Sequence, residues 1–167
     1  MNAEILARPP ISGTIDEAHF DAVGRCTWVR FDAQEPWCGV FGGGTSNHEA
    51  VAFTEGGLAF VVARGQGYMI DVAARALLHK TANDWLADVV VASSTDQFVA
   101  ADRVELHAYS RAGLDWSSGR VALDEIRLLG SNGPGISGQV SGPDGWVDFS
   151  LTVPEFEFRC EWECPLE

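Results

Sequence analysis

Two cysteines, Cys160 and Cys164, stand four residues apart in EFEFRCEWEC (155–164). On a helix that spacing would bring two thiolates close enough to share a metal ion. The neighbouring residues point to a different geometry. Phe156, Phe158, Cys160, Trp162 and Cys164 alternate with Glu155, Glu157, Arg159, Glu161 and Glu163, which is the period of a strand. On a strand, positions four apart are separated by about 13 Å, whereas two sulfur ligands must each lie about 2.3 Å from a shared zinc. No metal is expected here, and the cysteines read as small buried hydrophobes. The carboxylates Glu155, Glu157, Glu161 and Glu163 would form a comb with about 7 Å between neighbours. Such a comb can be the wet side of a sheet, a shield for its edge, or a docking stripe for a cationic partner.

A second candidate is the glycine run in GVFGGGTSNH (39–48). A phosphate-binding loop needs Gly-Lys-Ser/Thr opening a helix, but this run passes through Thr45, Ser46 and Asn47 into another strand-like segment, so a hairpin is expected. Loops on a rigid sheet are where binding sites concentrate, and Trp37, Gly43, His48 and Glu49 are therefore the ligand-site candidates. The four histidines, at 19, 48, 79 and 107, share no ligand spacing. No serine or cysteine stands in a recognisable nucleophile turn, so the sequence assigns no catalytic residue and no cofactor. Of the six tryptophans, Trp85 in TANDW has the most polar neighbours and is the one expected to reach the surface, as a partner contact or as a sugar-stacking surface.

The elements that would carry these residues are mostly strands. TIDEAHFDAVG has helix punctuation at both ends: Thr14 and Glu17 at capping-box spacing, acids in the first turn, and Gly24 where a C-terminal cap belongs. It predicts a short helix over 15–23. From Cys26 onward the chain breaks into short runs rich in β-branched and aromatic residues, such as CTWVRF, LAFVVA, DVVVA and VELHAY, separated by turns such as RGQG, SRAG and SGPDG. The expected fold is all-β and predominantly antiparallel, with one short N-terminal helix. A single domain is expected over 1–167, with an arm and helix over 1–25 and a sheet body over 26–167.

The body contains a repeat. Residues 59–80 align with 97–116, matching Phe60 with Phe98, Val61 with Val99, Ala63 with Ala101, Arg75 with Arg111 and Leu78 with Leu114. The period of 36 to 38 residues lies in the range of four-stranded propeller blades. VELHAYSRAGLDW, with Ala108, Tyr109, Gly113 and Trp116, resembles the inner strands of a quinoprotein-type β-propeller blade, and GYMIDVAARALLHK resembles the same unit without its glycine and tryptophan. The resemblance implies topology and carries no activity, because no quinoprotein cofactor constellation is present. Two or three propeller-blade-like or sandwich-like sheets, stacked and open, are expected, since a closed ring would need at least four full blades and the N-terminal quarter is read as no blade.

The chain has a net charge of −13 from 24 acids and 11 bases. Nucleic acid is disfavoured as a partner, because phosphate binding requires a basic footprint. The longest apolar runs are far short of the ~20 residues of a membrane helix, and the N-terminus lacks the apolar core of a secretory signal. Cytoplasmic location follows as an expectation. Lys80 as the only lysine among the bases suggests a GC-rich bacterial genome. These features favour a non-catalytic acidic binding module of immunity or inhibitor type, with a basic protein as partner. The alternative is a small-ligand domain or small enzyme built on the 42–49 loop.

Overall fold

The computed structural model describes residues 2–11, 13–92 and 95–162, among which every regular element is a strand. Sixteen strands form four sheets of four. The first sheet contains β1 (Ala3–Leu6), β2 (Asp16–Phe20), β3 (Cys26–Phe31) and β4 (Trp37–Gly42), in the order β1-β3-β4-β2. The other three are plain antiparallel meanders. They are β5 (Glu49–Phe53) to β8 (Ala76–Lys80), β9 (Asp88–Ala92) to β12 (Gly113–Arg120), and β13 (Ile126–Asn132) to β16 (Glu157–Cys160). Local turn chemistry sets their register. Between β6 (Leu58–Ala63) and β7 (Gln66–Asp71), Arg64 and Gly65 have φ of 50° and 96°, the two positive values that a two-residue hairpin matched to strand twist requires.

The sheets stack through three apolar interfaces. Phe31, Trp37 and Phe41 of the first sheet meet Val61, Tyr68 and Ile70 of the second. Phe60, Val62 and Met69, on the opposite side of the second sheet, meet Phe98, Ala100 and Tyr109 of the third. Val99, Leu106 and Ala108 then meet Ile136, Phe149 and Leu151 of the fourth. Contacts at the inner edge run from β1 to β5, from β5 to β9 and from β9 to β13, and no comparable contact joins β13 back to β1 among the described residues. The stack is an open arc of blade-like sheets. The sequence repeat corresponds to real equivalence: Phe60 and Phe98 lie on the second strands of adjacent sheets, and Arg75 and Arg111 lie in the turns between their third and fourth strands.

The helix expected over 15–23 does not form. Asp16–Phe20 is instead β2, paired in parallel with β4 from Asp16↔Trp37 to Phe20↔Phe41. Nine residues make a marginal helix because nucleation is costly, whereas strand pairing buries Phe20 against Phe41 at 4.9 Å between ring centroids. The capping signals serve turns: the Thr14 N–H and Oγ1–H both donate to the Ile11 carbonyl, at 3.1 and 2.6 Å, and Gly24 takes a positive φ of 76° before β3. The C-terminal alternation is strand only over Glu157–Cys160. Glu155 lies in the preceding turn, where Phe156 has φ 57°. Phe156, Phe158, Cys160 and Trp162 pack together against the third interface, as one side of a strand should. Glu163 and Cys164 lie outside the described residues. Among the described residues no helix is long and apolar enough to cross a membrane.

Candidate functional site

In the second, third and fourth sheets the innermost strand starts at the same end of the stack. The starts of β5, β9 and β13, together with the turns at 102–103 and 124–125, enclose a cleft of about 510 Å³. Its wall carries the carboxylates of Glu49, Asp88, Asp102, Asp124 and Glu125, against the bases Arg103 and Arg127 and the imidazole of His48. Arg103 pairs with Asp124, and Arg127 pairs with Glu125 at 3.4 Å. Glu49, Asp88 and Asp102 are left without an arginine or lysine partner among the described residues.

These three acids differ in their surroundings. Glu49 accepts a hydrogen bond from the Thr27 hydroxyl, which ties the first sheet to the second. Asp88 accepts the N–H of Val89 at 2.8 Å. Burial raises its pKa, partly offset by that N–H and by His48. Burial also works against the charge on Asp102, but the bonds it accepts outweigh that cost. His107 Nε2 lies 3.0 Å from its Oδ2, and the N–H groups of Val104 and Glu105 donate to its Oδ1 at 2.8 and 2.7 Å. With Asn83 Nδ2 donating at 2.8 Å as well, the Asp102 pKa is held down to about 2. Hydrogen bonds to the charged form are the usual cause of such a depression.

Asn83, Asp102 and His107 form a tie and not an open catalytic pair. Among the described residues the His107 ring is bonded to Asp102 and Asn83, with no serine or cysteine side chain bonded to it. The tie fixes the 81–87 segment, which passes from the second sheet to the third. Among the described residues no three His, Cys, Asp or Glu side chains are grouped to hold a metal ion.

The glycine run has a packing role. The N–H groups of Gly43, Gly44 and Ser46 donate to the carbonyls of Arg25, Ala63 and Arg64, at 2.9, 3.0 and 3.0 Å, so they are not directed at a ligand. A Cβ on Gly44 would meet the Arg64 and Asp84 carbonyl oxygens at 2.8 and 3.0 Å. The run is therefore the seat on which the 81–87 segment rests. His48 and Glu49 both line the cleft, whereas Gly43 is not part of its lining and packs against Arg25 and Arg64. Trp37 lies at the other end of β4, 1% exposed, stacked on Phe31 at 4.7 Å, with its Nε1–H donating to the Val72 carbonyl at 3.1 Å. Trp85 is on the surface. Glu155, Glu157 and Glu161 are exposed in and on either side of β16 and do not line the cleft, with Glu157 paired to Arg159 at 3.1 Å. Asp88, Asp102 and Asn83 were not singled out by sequence reading, and His107 was weighed there only as one of four histidines without ligand spacing. The signal for Asp102 was its place between two apolar runs, where an aspartate closing a turn on its own backbone is favoured.

No family model matches the chain, and no curated protein matches it in sequence. Solved structures do resemble it in fold. Saccharomyces cerevisiae Sqt1 superposes with a TM-score of 0.53 at 10% identity over 74% of this chain. Kuenenia stuttgartiensis hydrazine synthase superposes with a TM-score of 0.53 at 10% identity over 91%. The matches span 36% and 53% of those two chains. At that identity the likeness shows a propeller-like arrangement of four-stranded sheets.

Proposed function

We propose that the chain is an acidic binding module that docks a basic segment of another protein in the cleft at the head of β5, β9 and β13. The observation that carries this reading is the pair of unneutralised acids there, Glu49 and Asp88. Seven of the eleven bases, Arg30, Arg75, Lys80, Arg103, Arg111, Arg127 and Arg159, are already in ion pairs with acids, so most of the chain's own positive charge is committed and the excess carboxylates are available to an external cation. Opposed charge across an interface speeds encounter and penalises wrong partners. An immunity- or inhibitor-type role, covering the basic working surface of a partner, fits this charge pattern. A phosphate-type ligand on the glycine run finds no support, because its N–H donors are spent on carbonyls.

The test uses a fluorescent decalysine peptide as the minimal basic probe, with anisotropy read at low salt. The Glu49→Gln/Asp88→Asn double variant is expected to bind roughly tenfold more weakly, equivalent to about 1.4 kcal/mol. A Glu155→Gln/Glu161→Gln double variant on the fourth sheet is expected to match the wild type. Equal binding by the wild type and the cleft variant would overturn the assignment.

A further inference from the structure

The 81–87 segment presents one large apolar side chain to solvent. Trp85 is 54% exposed, and among the described residues its ring meets no other ring and no cation. Its backbone, by contrast, is fastened on both sides. The Trp85 N–H donates to Asn83 Oδ1 at 2.8 Å. Leu86 is fully buried and its N–H donates to the Gly65 carbonyl at 2.9 Å, while the Ala87 N–H donates to the Ala101 carbonyl at 2.7 Å. Asn83 is itself held by Asp102. The Asp84 carbonyl sits so close to Gly44 and Gly65 that a Cβ at either position would collide with it. An exposed indole on a mobile loop would need no explanation, but this segment is locked.

The surroundings specify what an indole in this position can take. Asp84 and Asp88 flank Trp85 in sequence, and neither has an ion-pair partner among the described residues. Asp88 opens the cleft wall. Cation–ring contacts already occur in this chain, with Arg127 3.7 Å over the Trp146 ring and both Arg75 over Trp37 and Lys80 over Tyr68 at 5.8 Å, so the choice between the two cations follows from their own chemistry. A guanidinium is planar, weakly hydrated and able to stack on an indole while donating to carboxylates, whereas an ammonium is a strongly hydrated point charge. A rigid tryptophan also loses little conformational freedom on binding, which is why this residue recurs as an interface anchor.

We infer that Trp85 is the anchor for an arginine side chain of the basic partner, stacked on the indole with Asp84 and Asp88 as its counter-charges. This inference rests on the cleft reading above and adds that arginine is preferred to lysine. A second copy of this chain is a poor occupant, because two bodies of charge −13 repel.

The experiment compares decaarginine with decalysine on the full chain by anisotropy, for the wild type, Trp85→Ala and Trp85→Phe. Thermal melts confirm folding, which is expected to persist because the backbone bonds of the segment do not involve the indole. The wild type is expected to bind decaarginine about three- to tenfold more tightly than decalysine, the size of one exposed to desolvated cation–π contact. Trp85→Ala is expected to remove that preference while leaving decalysine binding within about twofold, and Trp85→Phe to retain part of it. Equal affinity of the wild type for the two peptides, or an arginine preference that survives in Trp85→Ala, overturns the inference and leaves the cleft reading intact. Absence of binding by either peptide overturns both. Sedimentation showing that the free chain pairs through Trp85 overturns the inference in favour of a second copy.

Discussion

The second and third sheets each lie between two neighbouring sheets, and the first and fourth stand at the ends of the stack with one neighbour each. This difference is written into their sequences. LAFVVA of β6 and QFVAA of β10 (Gln97–Ala101) are almost unbroken apolar runs because each alternation side meets a neighbouring sheet. In the fourth sheet GWVDFSLT alternates, with Phe149 and Leu151 inward and Asp148 and Ser150 outward. Its outer side is polar, with Gln139 donating to Asp148 and Arg127 over Trp146. The first sheet differs again. Cys38 and Val40 face away from the second sheet yet are buried. Burial, then the nearby Glu17, pushes the Cys38 thiol up to about 11. The comparison teaches that a stacked-sheet protein is close to one-dimensional: each sheet is stabilised by the sheets beside it, and a middle sheet has two such interfaces.

The strongest way to break that comparison is to remove matched side chains from a middle and a terminal sheet. Phe60 is fully buried, with ring centroids 5.7 Å from Phe98 and 5.1 Å from Tyr109. Phe60→Ala is expected to cost about 3–5 kcal/mol in urea unfolding. Phe158 is half-buried beside Phe149 at 5.4 Å, and Phe158→Ala is expected to cost about 1–2 kcal/mol, the value of a partly buried side chain. Equal losses would mean that the middle interface has no special share in stability.

A smaller effect separates polar ties. The Asp102 tie holds the 81–87 segment to the third sheet and is mostly buried, whereas the Arg159–Glu157 pair lies on the exposed side of the fourth. Asp102→Asn is expected to cost on the order of 1–3 kcal/mol, as breaking a buried network does, and Glu157→Gln about 0–0.5 kcal/mol. The pH dependence has a fixed sign. The folded pKa of Asp102, about 2, lies below its ordinary value of 3.8. Its contribution is therefore complete above pH 4 and is lost as pH falls toward 2. Melts of the wild type and Asp102→Asn should converge across that window, and a gap unchanged down to pH 2 would show that the carboxylate charge is not what the tie uses.

How much of this was legible in the sequence depended on distance along the chain. Strand periodicity, the Phe60/Phe98 repeat and the inward set of Phe156, Phe158 and Cys160 are local or nearly local, and they read correctly. The 15–23 segment failed because its capping signals are equally good turn signals, and pairing with β4 some twenty residues later decided between them. His48 and Glu49 could be suspected from the glycine run beside them. Asp88 could not, because nothing in NDWLADVVV marks it as facing His48 until the starts of β5 and β9 are brought together. The cleft is a product of stacking order, which no window of sequence contains.

The smallest effect tests the cleft against that same stack. Asp88 is the cleft acid whose pKa burial leaves raised, its hydrogen bond offsetting only part of the cost. For a carboxyl with a raised folded pKa, the ionised form weakens the fold above that pKa, and protonation on lowering the pH relieves the penalty. Asp88→Asn keeps an acceptor for the Val89 N–H and removes the charge, so at neutral pH it should stabilise the protein by a few tenths to about 1 kcal/mol. Asp148→Asn on the exposed side of the fourth sheet should stay within about 0.5 kcal/mol of the wild type. Because a carboxylate kept at a cost to stability is what a cation-binding wall requires, an Asp88→Asn protein that is both more stable and weaker toward decalysine would join the two readings. One that is destabilised would show that the Asp88 charge is already satisfied within the fold, and the cleft would then have no free acid on β9 to offer a partner.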